Sequence, residues 1–584
     1  MARGGSRRRS WSPIGIYQCR LRRNACLIVR GVNQGLAIPG GIWPGIMSQD
    51  TEVDMKEVEL NEMEPEKQPM TGSPSSPASG TLGEKNGMVK VPKEDGEVDA
   101  GTKFTGLSKE ELLQVAGTPG WVRTRWALLI LFWLGWLGML AGAIIIIVQA
   151  PRCKELPPQE WWHKGGIYRI QALEAFQDSN GDGVGDLAGV EQRMDYLSSL
   201  KVKGLVIGPI HVNTPDNLTS TDLLTVDPQL GTKGTVAKLL EAAKKKSLKV
   251  ILDLTPNYRG QMSWFSLETP HNSDFQSKMK AALKFWLELG VAGIQMEGVE
   301  QLSDSPLLVE WKNLTSQYSS DGNARVLIAW TGQQDSRQIF FPLNETSADL
   351  LVSPYRLGLE LEPTGEKVEN AIRAYIQAAG EKWPSWSVGG PRTGHMASLV
   401  KERLLRLYHM LLFTLPGTPF TNYGDEIGLQ ELPGQSGVSR MQWNNSANFG
   451  FSSKLSPQDG DRSGSNITVE AQSGDSSSLL SLFRHLSELR VKERSLLHGE
   501  FMMLPRLVPD VCVYLRSWDQ NKRFLVVLNF AGTRSTVTIS HSLLPPEATV
   551  ELSTDPQRQK GQLALKDLTL ESSEGLLLHF PYVA

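Results

Sequence analysis

The chain has 584 residues, enough for two or three domains, with the 40% apolar and 21% charged content of ordinary globular protein. A formal net charge of −3, with no long basic patch in the C-terminal part, excludes a nucleic-acid binder. Four cysteines, Cys19, Cys26, Cys153 and Cys512, are too few for a disulfide framework.

Residues 1–104 are rich in Gly, Pro, Ser, Glu and Lys and poor in aromatics, which predicts a disordered tail. The short Arg7–Arg9 run reads as a solvated part of it. Residues 105–126 form a juxtamembrane segment, where Ser108 before Glu110 and Glu111 predicts a short helix from Leu107 to Val115. Residues 127–148 are an uncharged apolar run. As a helix its 22 residues would reach about 33 Å, the thickness of a bilayer core. The run lies too far from the N-terminus for a cleaved signal peptide and reads as a signal anchor. Within it Gly135, Gly138 and Gly142 form a stripe of small residues along which another helix can pack closely. The rival reading is that glycine is simply common in membrane helices.

Basic residues are nearly balanced on the two sides of this run, so charge does not orient it. Glycosylation sequons do. Asn217, Asn313, Asn344, Asn444 and Asn466 each begin Asn-x-Ser/Thr, and none occurs before residue 127. The expectation is a single-pass type II protein of the plasma membrane, with a cytoplasmic N-terminus and an extracellular C-terminal part. Residues 149–165 are then an extracellular neck carrying Cys153 in an oxidising space. Cys153 could pair with Cys512, stay free, or bridge to another chain. Cys512 alternates with Val511 and Val513 and reads as a buried small hydrophobe. The neck position therefore suits an interchain bridge better.

From residue 166 to 494 short apolar runs alternate with amphipathic helical ones. The strand candidates are Ile167–Ile170, Gly204–Ile207, Val250–Leu254, Gly293–Met296, Val326–Ala329, Leu350–Ser353, Ser385–Val388 and Pro419–Tyr423. Helical runs include Val190–Leu200, Val236–Lys246, Ser277–Leu289 and Ser398–Phe413. Eight such units predict an α/β fold, a (β/α)8 TIM barrel. Residues 495–584 change period. Phe501–Leu504, Val511–Trp518, Phe524–Phe530, Ser535–Ser540 and Gly575–Phe580 predict a C-terminal antiparallel β-sandwich. The Ser/Gly/Asn-rich stretch 436–478 reads as a loop over the barrel mouth.

Several blocks resemble the α-amylase family of glycoside hydrolases. They are Gln177-Asp-Ser-Asn-Gly-Asp-Gly-Val-Gly-Asp-Leu187, Asp253-Leu-Thr-Pro-Asn257 and Leu415-Pro-Gly-Thr-Pro-Phe-Thr-Asn-Tyr-Gly-Asp-Glu-Ile-Gly428. They fall in the family's order over about 420 residues. The chemistry departs from the family. A retaining glycosidase needs two carboxyl groups about 5–5.5 Å apart. The resemblance places the nucleophile at Glu297, which is one methylene longer than the family's aspartate, and puts Gln295 where its arginine belongs. Trp330 and Thr331 stand where the acid after strand five is expected. Gly389 and Gly390 stand where a His-Asp pair is expected, and Tyr258 replaces a histidine. Only 34 residues separate Tyr258 from Gly293, so the family's usual extra domain after strand three is missing. The expectation is that the chain is not an enzyme and requires no cofactor. Asp178, Asn180, Asp182, Val184 and Asp186 lie in a loop that holds structural calcium in the related hydrolases, and alternating oxygens around glycines suit that ion. A retained loop without an ion is the equal alternative.

The anchor, the neck cysteine and the altered barrel together resemble the heavy chains of heteromeric amino-acid transporters, in particular the type lacking the barrel insert. Phe104–Leu113, Pro119–Trp126, Phe132–Gly142 and Lys249–Gly260 carry the likeness. The resemblance implies a non-catalytic subunit that Cys153 links by a disulfide to a multispanning light chain. It implies a role in that partner's stability and trafficking, and contact with integrins. A membrane-anchored α-glucosidase using Glu300 as acid, or an adhesion ectodomain, are the alternatives.

Overall fold

The computed structural model describes residues 109–149, 154–302, 306–320, 322–340, 348–355, 357, 363–390, 393–431, 438–454, 467–506 and 508–582. The predicted tail 1–104, the start of the Leu107 helix, Cys153, Asn344 and Asn466 lie outside the described residues.

Lys109–Ala116 is a short helix. The apolar run forms a helix over Pro119–Gln149, so it begins eight residues before the expected Ala127. Hydropathy ends at Arg125, but backbone geometry does not. Pro119 suits a first helical position, where a missing N–H costs nothing, and Thr124 Oγ1 donates back to the Gly120 carbonyl at 3.0 Å. This is one helix long and apolar enough to cross a membrane, and no residue in it is buried.

Eight parallel strands form the barrel: β1 (Ile167–Ile170), β2 (Gly204–Ile207), β3 (Lys249–Asp253), β4 (Gly293–Glu297), β5 (Val326–Trp330), β6 (Leu350–Val352), β7 (Ser385–Trp386) and β8 (Thr418–Asn422). Their order is β6-β5-β4-β3-β2-β1-β8-β7, the cyclic order of a (β/α)8 barrel. The strands point alternate side chains to opposite faces. Ile167, Val206, Ile251, Ile328, Val352 and Phe420 fill the barrel interior. Their neighbours Tyr168, Leu205, Leu252, Ile294, Leu327 and Leu351 face outward and join the main core with the helices.

Two expected helices are broken. Val190–Leu200 is Leu187–Gln192 and Met194–Ser199, interrupted at Arg193. Ser398–Phe413 is Met396–Leu399 and Glu402–Thr414, because Val400 and Lys401 are extended. A hairpin of His211–Thr214 with Asn217–Val226 follows β2 and was not expected, since its Asn, Thr and Asp content reads as loop.

The C-terminal strands are β9 (Glu500–Met503), β10 (Val511–Ser517), β11 (Arg523–Asn529), β12 (Ser535–Val537), β13 (Glu547–Ser553), β14 (Gln562–Ala564), β15 (Leu568–Leu570) and β16 (Gly575–Phe580). They make a six-stranded antiparallel sheet, β9-β10-β11-β16-β13-β14, and a two-stranded β12-β15 ribbon. One face of the large sheet, with Tyr514, Phe524, Val526 and Leu577, joins the barrel's outer core. The other, with Val513, Leu525, Val527 and Leu578, packs on the ribbon's Val537, Leu568 and Leu570. Two buried arginines fix this junction. Arg490 donates to the Phe413, Leu415 and Gly417 carbonyls, and Arg516 to those of Thr414, Leu496 and Gly499. Burial lowers both guanidinium pKa values, Arg516 to about 10. Several of these carbonyls end the Glu402–Thr414 helix, where the negative dipole favours a cation.

Candidate site at the barrel mouth

The residues that the sequence singles out at the strand ends come together only in part. Glu297, Trp330 and Gly390 line one cavity of about 220 Å³, with Ser263, Glu300 and Gln301 among its other walls. Tyr258 turns away to donate to the His211 carbonyl at 3.2 Å, and its ring meets the His211 ring edge-on. Burial raises the Tyr258 pKa and lowers that of His211 to about 4. Gly389 backs onto the Gly394 carbonyl, where a Cβ would sit 2.3 Å away.

The missing arginine of β4 has a substitute that the sequence pattern did not reveal. Arg169 on β1 points into the barrel and is buried. Its Nη2 donates to Asp253 Oδ2 at 3.1 Å and forms a close ion pair with Glu297. Gln295 donates to the same Asp253 oxygen at 2.6 Å, while Thr255 donates its N–H and hydroxyl to the other. Burial and the nearby Glu297 charge push Asp253 up to about 6, against the pull of Arg169. The available signal was parity: a charged side chain at an inward position of the Ile-Tyr-Arg-Ile strand.

Trp330 caps this cluster. The Arg169 guanidinium carbon lies 4.2 Å from the Trp330 ring centroid, a cation–π contact made away from water. A Cβ on Gly390 would come within 2.8 Å of Trp330 Cζ2. The large residue that ends β5 and the glycine after β7 therefore fit one another. Trp264, also not foreseen, donates its indole N–H to the Glu297 carbonyl at 3.0 Å and fixes the end of β4. Glu300 approaches the end of β5, with Oε1 3.4 Å from the place of a Cβ on Gly332.

A turn beyond β8 holds a second buried acid. Asp425 accepts from the Met396 and Asn422 N–H groups, both at 2.9 Å. Burial raises it to about 7 against those hydrogen bonds. His395 stands 3.8 Å away and is lowered by burial to about 4, so near neutrality the contact is not an ion pair.

The Asp178–Asp186 loop is held by its own backbone. Asp178 accepts from the N–H groups of Asn180, Gly181 and Gly183 at 3.1, 2.6 and 2.8 Å. Asn180 and Asp182 accept from the N–H groups of Asp182 and Val184, both at 2.8 Å. Asp186 caps the Leu187 helix through the Gly189 N–H and accepts from Ser179. Burial opposes the Asp178 charge, but hydrogen bonds from Ser452, Gly183, Gly181 and Asn180 hold its carboxyl below the usual range. Among the described residues no three acidic, histidine or cysteine side chains gather as a metal cluster.

Of the described sequons, Asn217 and Asn313 are exposed and Asn444 is half-buried. Gly135, Gly138 and Gly142 lie on an open helix surface, where an added Cβ would meet nothing within 4 Å.

Comparison with known proteins places this architecture. Residues 89–168 match the family model "Solute carrier family 3 member 2 N-terminus". Residues 173–278 and 320–499 match "Alpha amylase, catalytic domain". The mouse amino acid transporter heavy chain SLC3A2 is 51% identical over 552 residues, covering 92% of this chain and all of the mouse protein. The chain belongs to the amino acid transporter heavy chain family. The human heavy chain SLC3A1 is more distant, 27% identical over 598 residues, covering 81% of this chain and 85% of the human protein. Among solved structures, trehalulose synthase MutB from Pseudomonas mesoacidophila MX-45 superposes with a TM-score of 0.60 at 17% identity, covering 72% of this heavy chain and all of MutB. That likeness concerns the fold alone.

Proposed function

We propose that this heavy chain is a non-catalytic ancillary subunit of an amino-acid transporter, and that the barrel has lost hydrolysis. One observation supports the second point: Trp330 stands over Arg169 where a catalytic acid would be needed. An enzyme's nucleophile must reach an anomeric carbon, with an acid opposite it. Here the position where that acid would stand carries the Trp330 indole.

In the proposed arrangement the Pro119–Gln149 helix crosses the plasma membrane with the N-terminus cytoplasmic. The glycosylated barrel and sandwich are extracellular. Cys153 forms a disulfide to a multispanning light chain, and the glycine stripe packs along that partner's helices. Binding stabilises the folded partner by mass action, and the covalent link raises the effective concentration of the contact. This role requires no cofactor; structural calcium at the Asp178–Asp186 loop and integrin contact would be additional properties of the ectodomain. Cys153→Ser is expected to remove the covalent bond while leaving measurable co-purification of the light chain. Complete loss of association would contradict the helix contact.

A second reading, a membrane-anchored α-glucosidase, is favoured by one observation: Glu300 lines the same cavity as Glu297. Purified ectodomain incubated with a chromogenic α-glucoside is expected to release no chromophore. Release that disappears in Glu297→Gln would establish the second reading.

A further inference from the structure

We infer that a cavity between the Asn217–Val226 strand and the Ser273–Leu289 helix binds a small zwitterion with an apolar side chain, the chemistry of a free aliphatic or aromatic α-amino acid. The site goes beyond an ancillary role and does not depend on a disulfide. It shares no lining residue with the cavity at the barrel mouth. Its walls are Leu218, Leu223 and Leu224 of the strand, Phe275 and Ala281 of the helix, and Pro256 beyond β3. The volume is about 310 Å³, room for a molecule of amino-acid size.

The walls are tied to one another. Trp286 of the helix donates its indole N–H to the Leu223 carbonyl at 2.9 Å, which holds the strand against the helix. His211 Nε2 lies 3.1 Å from the Pro256 carbonyl. The Phe275 ring is buried and meets Trp264 edge-on, with centroids 6.2 Å apart. A cavity fastened in this way spends little free energy on ordering itself around a ligand.

Two opposite charges border the apolar walls, Asp222 and Lys278. They are not paired with each other. Among the described residues the Lys278 ammonium takes part in no hydrogen bond or ion pair. Asp222 accepts from the Leu224 N–H at 3.0 Å, and hydrogen bonds from Thr225 and Leu224 hold its carboxyl below the usual range. This combination selects a ligand class. A fatty acid would bring its carboxylate against Asp222, and a simple alkylamine would bring its ammonium against Lys278. A glucoside would press unpaired hydroxyls on leucine and phenylalanine walls. A divalent metal would lack ligands, since no metal cluster forms among the described residues. An amino acid meets every wall: its ammonium faces Asp222, its carboxylate faces Lys278, and its side chain covers Leu218, Leu223 and Phe275.

The test is calorimetric titration of L-leucine into the full-length heavy chain, purified without a light chain and held in lipid nanodiscs. Saturable binding is expected. 4-Methylpentanoate, which lacks the ammonium, 3-methylbutylamine, which lacks the carboxylate, and glycine, which lacks the side chain, should each bind about tenfold more weakly or less. Lys278→Gln changes an exposed side chain and should weaken leucine about tenfold with an unchanged melting temperature. Ala281→Trp, also at an exposed position, should fill the cavity and abolish binding. No saturable heat with leucine up to about 10 mM, a weaker limit than any useful site, would overturn the proposal. Leucine binding that survives both variants would overturn the location. Tighter binding of 4-methylpentanoate than of leucine would overturn the zwitterion and leave an apolar acid as the ligand.

Discussion

Asp253 receives four hydrogen bonds, from the Thr255 N–H and hydroxyl, from Gln295 and from Arg169, and donates none. An amide in its place would turn an NH2 group toward donors. Asp253→Asn is expected to cost about 2 kcal/mol in urea unfolding of the ectodomain, the scale of a buried unmatched polar group. Asp425 makes a different prediction because burial raises it to about 7. An unfolded aspartate titrates near about 4. Between those values the folded form holds a proton that the unfolded form has released, so this group's contribution to stability falls as pH rises from about 4 to 7. Asparagine does not titrate. The stability cost of Asp425→Asn should therefore shrink between pH 5 and pH 8, as read by melting temperature. A constant or growing cost would contradict the burial argument. Arg169 shows the limit of pattern reading at this scale. The Gly-Ile-Gln-Met-Glu block announces that an arginine is absent from β4, but only packing reveals that β1 supplies one across the barrel.

At the scale of elements, what was legible follows from periodicity. Strands buried on both faces appear as largely apolar runs of four to six residues, and β1, β2 and β16 begin and end where expected. Elements carried by polar residues were not legible. The Asn217–Val226 strand has mostly exposed side chains, and β14 and β15 are three residues each. Both broken helices keep an apolar stripe through the break, so amphipathicity alone joins what Arg193 and Val400 separate. The Asp178–Asp186 loop has the composition of a calcium site, but its oxygens serve its own N–H groups. Millimolar calcium added to chelator-treated ectodomain is expected to leave the melting temperature within about 1 °C, since only a ligand that binds the folded state shifts it. A clear rise would return the loop to its role in hydrolases.

In the whole molecule, barrel and sandwich share one core through Tyr514, Phe524 and Leu577, and Arg490 and Arg516 lock the seam with carbonyl contacts. Lys154 contacts the sandwich through Asp519 and Glu500, and Trp161 and Trp162 contact the barrel through Ala324 and Thr418. A barrel and an antiparallel sheet domain following a single apolar helix fit a member of the amino acid transporter heavy chain family. The barrel's strand alternation and the long apolar helix could be read directly from the sequence. The Lys154 contacts with Asp519 and Glu500 could not, because they join residues more than 300 positions apart.

The central claim is tested most directly by surface-labelling membranes and running wild type and Cys153→Ser side by side on non-reducing and reducing gels. The account predicts a larger wild-type species that collapses to the heavy chain and a second, membrane-embedded band on reduction, and that is absent from the variant. A single species of monomer size in every lane would contradict it.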